Sequence, residues 1–281
     1  MSGQVKVALG FPWYNGPDVD TFALYHEHLY YYGRMKERSH WLAALSDMGV
    51  DEEKMKLSPL DHIDGDPRGE LRKGEGPFDF FIAVETRMSL VGLARERLVD
   101  MALGAGLDWL FCWDADMRFP LSTFLRLWRH QKPVVGALAF TSRDPVTPCL
   151  YRMTEAFDPI QKLPKYGSEV VWDFPNDKLI SDEDIGGEMA FGAGVVLYNL
   201  NVFRQIPKPW FQSTGCGEDW FFCLRASKFG IPRYVDTGFN IQHKAHRAEW
   251  IDKGVYFQRR VERLEEYEKL MRKDKMGVLA L

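Results

Sequence analysis

The sequence predicts an α/β fold: a mixed, mainly parallel sheet flanked by helices, in a single domain. Apolar runs of strand length recur at 5–11, 78–84, 109–113 and 133–140. Three of them lead into segments with helical spacing, the alternation that builds strand–helix–strand units. Length agrees, since 281 residues is common for one α/β domain and allows a large core.

Composition narrows the classes. Hydrophobic residues make up 46% and charged residues 27%, ordinary for a globular protein. A net charge of −4, from 36 basic and 40 acidic residues, argues against wholesale electrostatic binding to nucleic acid or an anionic membrane. Apolar runs such as 134–140 fall far short of the roughly 18–20 residues needed to span a bilayer. The first residues carry no apolar signal-peptide region, so a cytoplasmic protein is expected. Cys112, Cys149, Cys216 and Cys223 form no C-x-x-C pair and read as buried free thiols.

The first strand, 5–11 (VKVALGF), breaks at Pro12, and a loop leads to a predicted helix over 21–32. Trp13 and Tyr14, at the strand's carboxyl end, either stack on a nucleobase or simply pack. His26 and His28 are two apart on that helix, do not face each other, and read as structural. Residues 33–77, rich in acids, glycine and proline, are expected to be a partly ordered insertion with no assigned chemistry. The second strand, 78–84, precedes a helix over 87–103, whose apolar stripe is Leu90, Ala94, Leu98 and Met101, widened by Val91 and Ala102. Arg95 and Arg97 interrupt it, either as solvated residues or as phosphate or base contacts.

The chemistry concentrates after the run 109–113 (WLFCW), which reads as the buried central strand. Asp114, Ala115 and Asp116 follow at its carboxyl end, where open α/β sheets bind ligands. A pair of carboxylates there suits Mg²⁺, which is typically held by one or two carboxylates plus substrate phosphates. The competing reading is a turn and helix entry, since Asp favours both. A helix over 121–130, a strand over 133–140 and a loop over 141–151 come next. Segments 169–172 and 179–180 are candidates for a short hairpin.

In 189–200, Gly192 and Gly194 permit close approach of backbone to a ligand. They precede their strand, so this is no G-x-G-x-x-G fingerprint, and a nicotinamide enzyme is not indicated. Glu218 and Asp219 open a helix that runs to about residue 228. A helix N-terminus favours the ionised carboxylate, which suits a base or an anchor for a sugar hydroxyl; the plainer reading is a helix cap. A short strand over 233–237 precedes His243, a candidate additional metal ligand with His246 as its rival. The organisation expected is a domain over 1–249 and an amphipathic C-terminal helix and tail over 250–281. Val261, Leu264, Tyr267 and Met271 share one side of that helix, which docks on the domain or on a partner such as a second copy of the chain.

In order and spacing these stretches resemble the nucleotide-sugar-dependent glycosyltransferases of the GT-A fold, a Rossmann-like fold, and in particular family 2-like members. The likeness lies in Phe11-Pro12, Ala94-Arg95, Asp114-Ala115-Asp116, Phe191-Gly192-Ala193-Gly194, Gly217-Glu218-Asp219 and His243, and covers residues 5 to about 245. It implies a Mn²⁺ or Mg²⁺ ion on the Asp-x-Asp motif, with Asp116 the direct ligand and Asp114 partly serving ribose or nucleotide. His243 would complete the metal shell. Pro12, Trp13, Tyr14, Arg95, Asp114, Gly192 and Gly194 fall on the side of the nucleotide-diphosphate sugar donor. Asp219 takes the place of the base that deprotonates an acceptor in inverting members, and Glu218 would hold an acceptor or donor hydroxyl.

Glu96, after Arg95, departs from the Asn of many similar sequences. Two other classes stay open. A nucleotidyltransferase making sugar nucleotides also needs acidic metal ligands, but usually shows a Gly-rich basic loop near its start, and 11–20 (FPWYNGPDVD) has no Lys or Arg. A non-catalytic binding module of the same fold is the other.

Overall fold

The computed structural model describes residues 5–12, 78–85, 90–120, 122–158, 163–212, 217–244 and 249–275. The expected helix over 21–32, the insertion over 33–77, and Trp13, Tyr14, His26, His28, Cys216 and His246 lie outside them.

In chain order the first half runs β1 (Val5–Pro12), β2 (Phe78–Glu85), α1 (Val91–Gly104), β3 (Trp109–Trp113), β4 (Met117–Arg118), α2 (Thr123–Arg129), β5 (Val134–Ala137), β6 (Leu150–Asp158), β7 (Leu163–Val170) and β8 (Leu179–Ile180). The second half follows with β9 (Met189–Phe191), β10 (Val195–Asn199), α3 (Asn201–Gln205), α4 (Glu218–Lys228), β11 (Tyr234–Asp236), β12 (Gln242–Lys244), β13 (Trp250–Ile251), α5 (Lys253–Glu262) and α6 (Leu264–Lys275).

Seven strands form the main sheet in the order β2-β1-β3-β10-β5-β11-β8. β1 pairs in parallel with both β2 and β3, and β5 with β11. Only β10 and β8 run against the others, so the sheet is mixed and mainly parallel. All five residues of β3 are buried, as expected of a central strand covered on both faces. Alternation splits the apolar residues between two cores. On one face Ala8, Leu110, Cys112, Val196 and Tyr198 pack with Leu98, Val99 and Ala102 of α1 and Phe222 and Cys223 of α4. On the other, Val7, Trp109, Phe111, Trp113 and Leu197 pack with Phe124, Leu125 and Leu127 of α2. Two small sheets, β13-β12-β4 and β7-β6-β9, flank the main one.

Three expectations are corrected. The buried face of α1 is centred on Arg95, Leu98, Val99 and Ala102, which leaves Leu90 and Met101 at its margin, 53% and 41% exposed. No hairpin joins 169–172 to 179–180: β7 pairs along its whole length with β6, while β8 joins β11. The intervening chain is tied elsewhere, with the Thr237 N–H donating to the Lys178 carbonyl at 2.9 Å. The C-terminal helix is two, α5 and α6, broken at Arg263. Val261 and Leu264 are exposed, whereas Tyr267 is buried as expected and Met271 packs against the core; with Tyr256, Tyr267 anchors the helices, their hydroxyls donating to the Trp172 and Val146 carbonyls at 2.9 and 3.0 Å. Both rings belong to the first core, so the helices dock on the main sheet's own packing. Among the described residues no helix is long and apolar enough to cross a membrane.

One buried charge cluster pins α2 to β11. The fully buried Asp236 carboxylate accepts from Arg126 Nε at 2.8 Å, Arg126 Nη2 at 2.9 Å and the Gly238 N–H at 2.7 Å, and lies 2.7 Å from His130 Nε2. Burial alone would raise this carboxyl, but the hydrogen bonds of His130, Arg126 and Gly238 outweigh it and hold it below the usual carboxylate range. A depressed folded-state pKa stabilises the fold above the unfolded value of about 4 and stops doing so as pH falls through the folded value. Urea denaturation should therefore show stability falling as the pH drops below about 5. Asp236→Asn should flatten part of that slope and cost about 3 kcal/mol at neutral pH, the order expected for breaking a buried ion pair.

Candidate active site

β3 ends at Trp113, and the ladder continues one step, with the Asp114 N–H donating to the Gly194 carbonyl at 2.9 Å. A turn follows, closed by the Met117 N–H on the Asp114 carbonyl at 3.1 Å, and β4 then pairs antiparallel with β12, Met117 opposite His243. The Lys244 N–H extends this to the Asp116 carbonyl at 2.9 Å. The small sheet thus carries His243 to the acidic turn: Nε2 lies 3.1 Å from Asp116 Oδ2, and Nδ1 lies 2.8 Å from the Phe140 carbonyl. A carbonyl cannot donate, so Nδ1 bears the proton and Nε2 is the atom turned towards Asp116. Burial lowers the imidazole pKa, yet the hydrogen bond and charge of Asp116 outweigh it and the net shift is upward.

Asp114 faces a different partner. Its Oδ1 accepts from Arg95 Nη2 at 2.6 Å, and Arg95 Nη1 donates to Glu218 Oε1. Arg95 is 3% exposed and is therefore no solvated interruption of its helix. Burial disfavours its charge, but Asp114 and Glu218 more than offset that, and the guanidinium stays ionised. Burial also raises the Asp114 carboxyl, Arg95 opposing and Asp116 and Glu218 adding to the rise.

Asp219 stands in the first turn of α4 beside Glu218. Its Oδ1 accepts from the Trp220 N–H at 2.7 Å and its Oδ2 from the Ala193 N–H at 3.4 Å. Burial raises its pKa, and Arg95 and the two N–H donors only partly counter it. The turn 191–194 is the common support, since its Ala193 N–H reaches Asp219 while its Ala193 carbonyl accepts from Arg95 Nη2 at 3.4 Å. A Cβ on Gly194 would stand 2.1 Å from Met117 Cε, and one on Gly192 would stand 3.0 Å from Cys149 Cβ. Around both glycines the space is taken by protein side chains. Pro12 is buried at the end of β1 beside Glu85 of β2.

The expected residues thus gather as two groups, Asp116 with His243 and Asp114 with Arg95 and Glu218, with Asp219 joined to the second through Ala193. Among the described residues no three His, Cys, Asp or Glu side chains converge as a ready-made metal cage. Asp116 and His243 do present an oxygen and a nitrogen donor face to face, a set that suits Mn²⁺ or Mg²⁺ when substrate phosphates supply further ligands. Sequence reasoning gave Cys149 as a free thiol but placed neither it nor Tyr151 of β6 near Asp219. Burial and the charge of Asp219 push the Cys149 thiol up to about 12, so it is no nucleophile. Tyr151 is hydrogen-bonded to it and also feels Asp219. No spacing marks either residue; only the fold brings them in.

Neither a protein-family model nor a curated protein matches the chain. Among solved structures it resembles the A197 protein from STIV, at 16% identity and a TM-score of 0.41 over 62% of this chain and 81% of that one. GalNAc-T7, solved with UDP, GalNAc and Mn²⁺, gives 14% identity and a TM-score of 0.45, over 85% of this chain but 44% of its own. A UDP-glucose pyrophosphorylase complexed with UDP-glucose gives 14% and 0.40, over 85% and 93%. These are likenesses of chain course, and the bound molecules belong to those proteins.

The start of α4 carries a local constraint that can be tested. Gly217 has φ 96° and ψ 161°, a region open essentially to glycine alone. A methyl group there would also stand 2.8 Å from Asp219 Oδ1. Gly217→Ala should cost about 1–3 kcal/mol in chemical denaturation; an unchanged midpoint would contradict this backbone geometry.

Proposed function

We propose that the chain is a divalent-cation-dependent glycosyltransferase that moves a sugar from a nucleoside-diphosphate donor, a UDP- or GDP-sugar, to an acceptor hydroxyl. One observation carries the reading: a strand-end acidic turn in which Asp116 meets His243 Nε2 is tied through Asp114, Arg95 and Ala193 to Asp219, a carboxylate held by backbone N–H groups. Asp116 and His243 would hold Mn²⁺ or Mg²⁺. The chemistry such an ion supplies is neutralisation of charge on the departing diphosphate.

The chain's own residues account for the rest. The Phe140 carbonyl fixes His243 with Nε2 outward, the support that metal-binding imidazoles usually have. Asp219, its pKa raised by burial, is a stronger base than an exposed aspartate and suits removal of the acceptor hydroxyl proton. Glu218 is engaged by Arg95 and serves the site through that pair.

The test is a thermal-shift panel of UDP, GDP, CDP and ADP and their sugars, with Mn²⁺ and with chelator, followed by assay of the nucleoside diphosphate released. A ligand at about 100 times its dissociation constant should add about 2.7 kcal/mol of stability. Asp116→Ala should lose the metal-dependent shift. Asp219→Asn should keep it while turnover falls about 10²- to 10⁴-fold. No shift with any donor, or full activity in both variants, would overturn the assignment. Pyrophosphate release from a nucleoside triphosphate and a sugar phosphate would make the chain a nucleotidyltransferase instead.

A further inference from the structure

Resting on that functional reading, we propose that Arg95 is a positioning residue that divides the site's carboxylates between two tasks. By holding Asp114 and Glu218 on one guanidinium, it locks the start of α4 against the end of β3 and leaves Asp219 as the carboxylate available for proton transfer.

The geometry joins four pieces of chain. Arg95 stands on α1, Asp114 follows β3, the Ala193 carbonyl belongs to the turn before β10, and Glu218 opens α4. Nη2 reaches Asp114 Oδ1 at 2.6 Å and the Ala193 carbonyl at 3.4 Å, while Nη1 holds Glu218 Oε1. Only a planar fork with several donors serves both carboxylates at once; an ammonium is a point charge on a flexible stem. Stability is a poor explanation for this residue. Arg95 Nε is buried with no hydrogen-bond partner among the described residues, and a buried ion pair is often no more stabilising than apolar packing of similar volume. Three carboxylates, those of Asp114, Glu218 and Asp219, share this one cation, and Asp219 alone makes no ion pair with it. Burial already raises Asp219, and the charge of Arg95 limits the rise.

Among the described residues Arg95 bonds to Asp114, Ala193 and Glu218 and not to Asp116 or His243, so the Asp116–His243 pair and the strut should respond separately to mutation. Arg95→Lys keeps the charge and loses the fork. Its kcat, read as nucleoside diphosphate release, should fall about 10- to 100-fold, the order expected for misplacing a reacting group by about 1 Å. Its donor KM and its Mn²⁺ dissociation constant, the latter from calorimetry without donor, should stay within about threefold of the native values. Glu218→Gln cuts the tie from its other end and should show the same split. The double variant should be no slower than the slower single, because both changes break one linkage. Should Arg95→Lys fail to fold, Glu218→Gln and its kcat-against-KM split decide alone. Native kcat in either variant, additive losses, or Mn²⁺ affinity falling in step with kcat would overturn the proposal while leaving the glycosyltransferase reading intact. A native chain with neither Mn²⁺-dependent donor binding nor turnover would overturn that reading, and the role of Arg95 with it.

Discussion

The site depends on the reversal of one strand. β10 lies antiparallel between β3 and β5, so its amino end sits at the carboxyl end of β3. The turn 191–194 therefore arrives beside Asp114 as a consequence of sheet pairing. From there one residue, Ala193, serves both sides, its N–H towards Asp219 and its carbonyl towards Arg95. Had β10 run parallel, the same residues would stand at the opposite edge of the sheet, and Asp114 and Asp219 would have no shared support. The carboxyl ends of the parallel strands, where open α/β sheets bind ligands, are here joined by an element that runs the other way.

Much of this architecture is legible in the sequence, for a physical reason. Strands buried on both faces must be continuously apolar, and WLFCW marks its own bounds, 109–113, without ambiguity. The strands β4, β12 and β13 have only two or three residues each, too few for any period to show, and they are what brings His243 to Asp116. The helix α1 reads correctly as a helix but with its stripe rotated. Apolar periodicity assigns Leu90 and Met101 to the core, whereas the ion pairs of Arg95 draw a polar side chain inward and leave those two at the margin.

Candidate residues are legible as types in suitable places: acids after a strand, acids at a helix start, a late histidine. Their partnerships are not. Nothing in the spacing of Asp114 and Asp116 says that one turns to an arginine and the other to an imidazole, since residues two apart diverge once the chain turns. Charge state is equally hidden. A helix start favours ionised Asp219, yet burial in the folded chain raises its pKa, and no motif marks that burial. Local electrostatics can be read along a chain; burial can be read only from the fold.

The contact between Asp116 and His243 spans 127 positions, and that between Arg95 and Glu218 spans 123. Closing loops of that length costs entropy that must be recovered from packing formed in the same event, and contacts of such separation form late. Neither half of the site can exist in a partly folded chain that has its amino-terminal strands alone. The two groups of side chains therefore come together only where β12 pairs with β4 and α4 packs on α1.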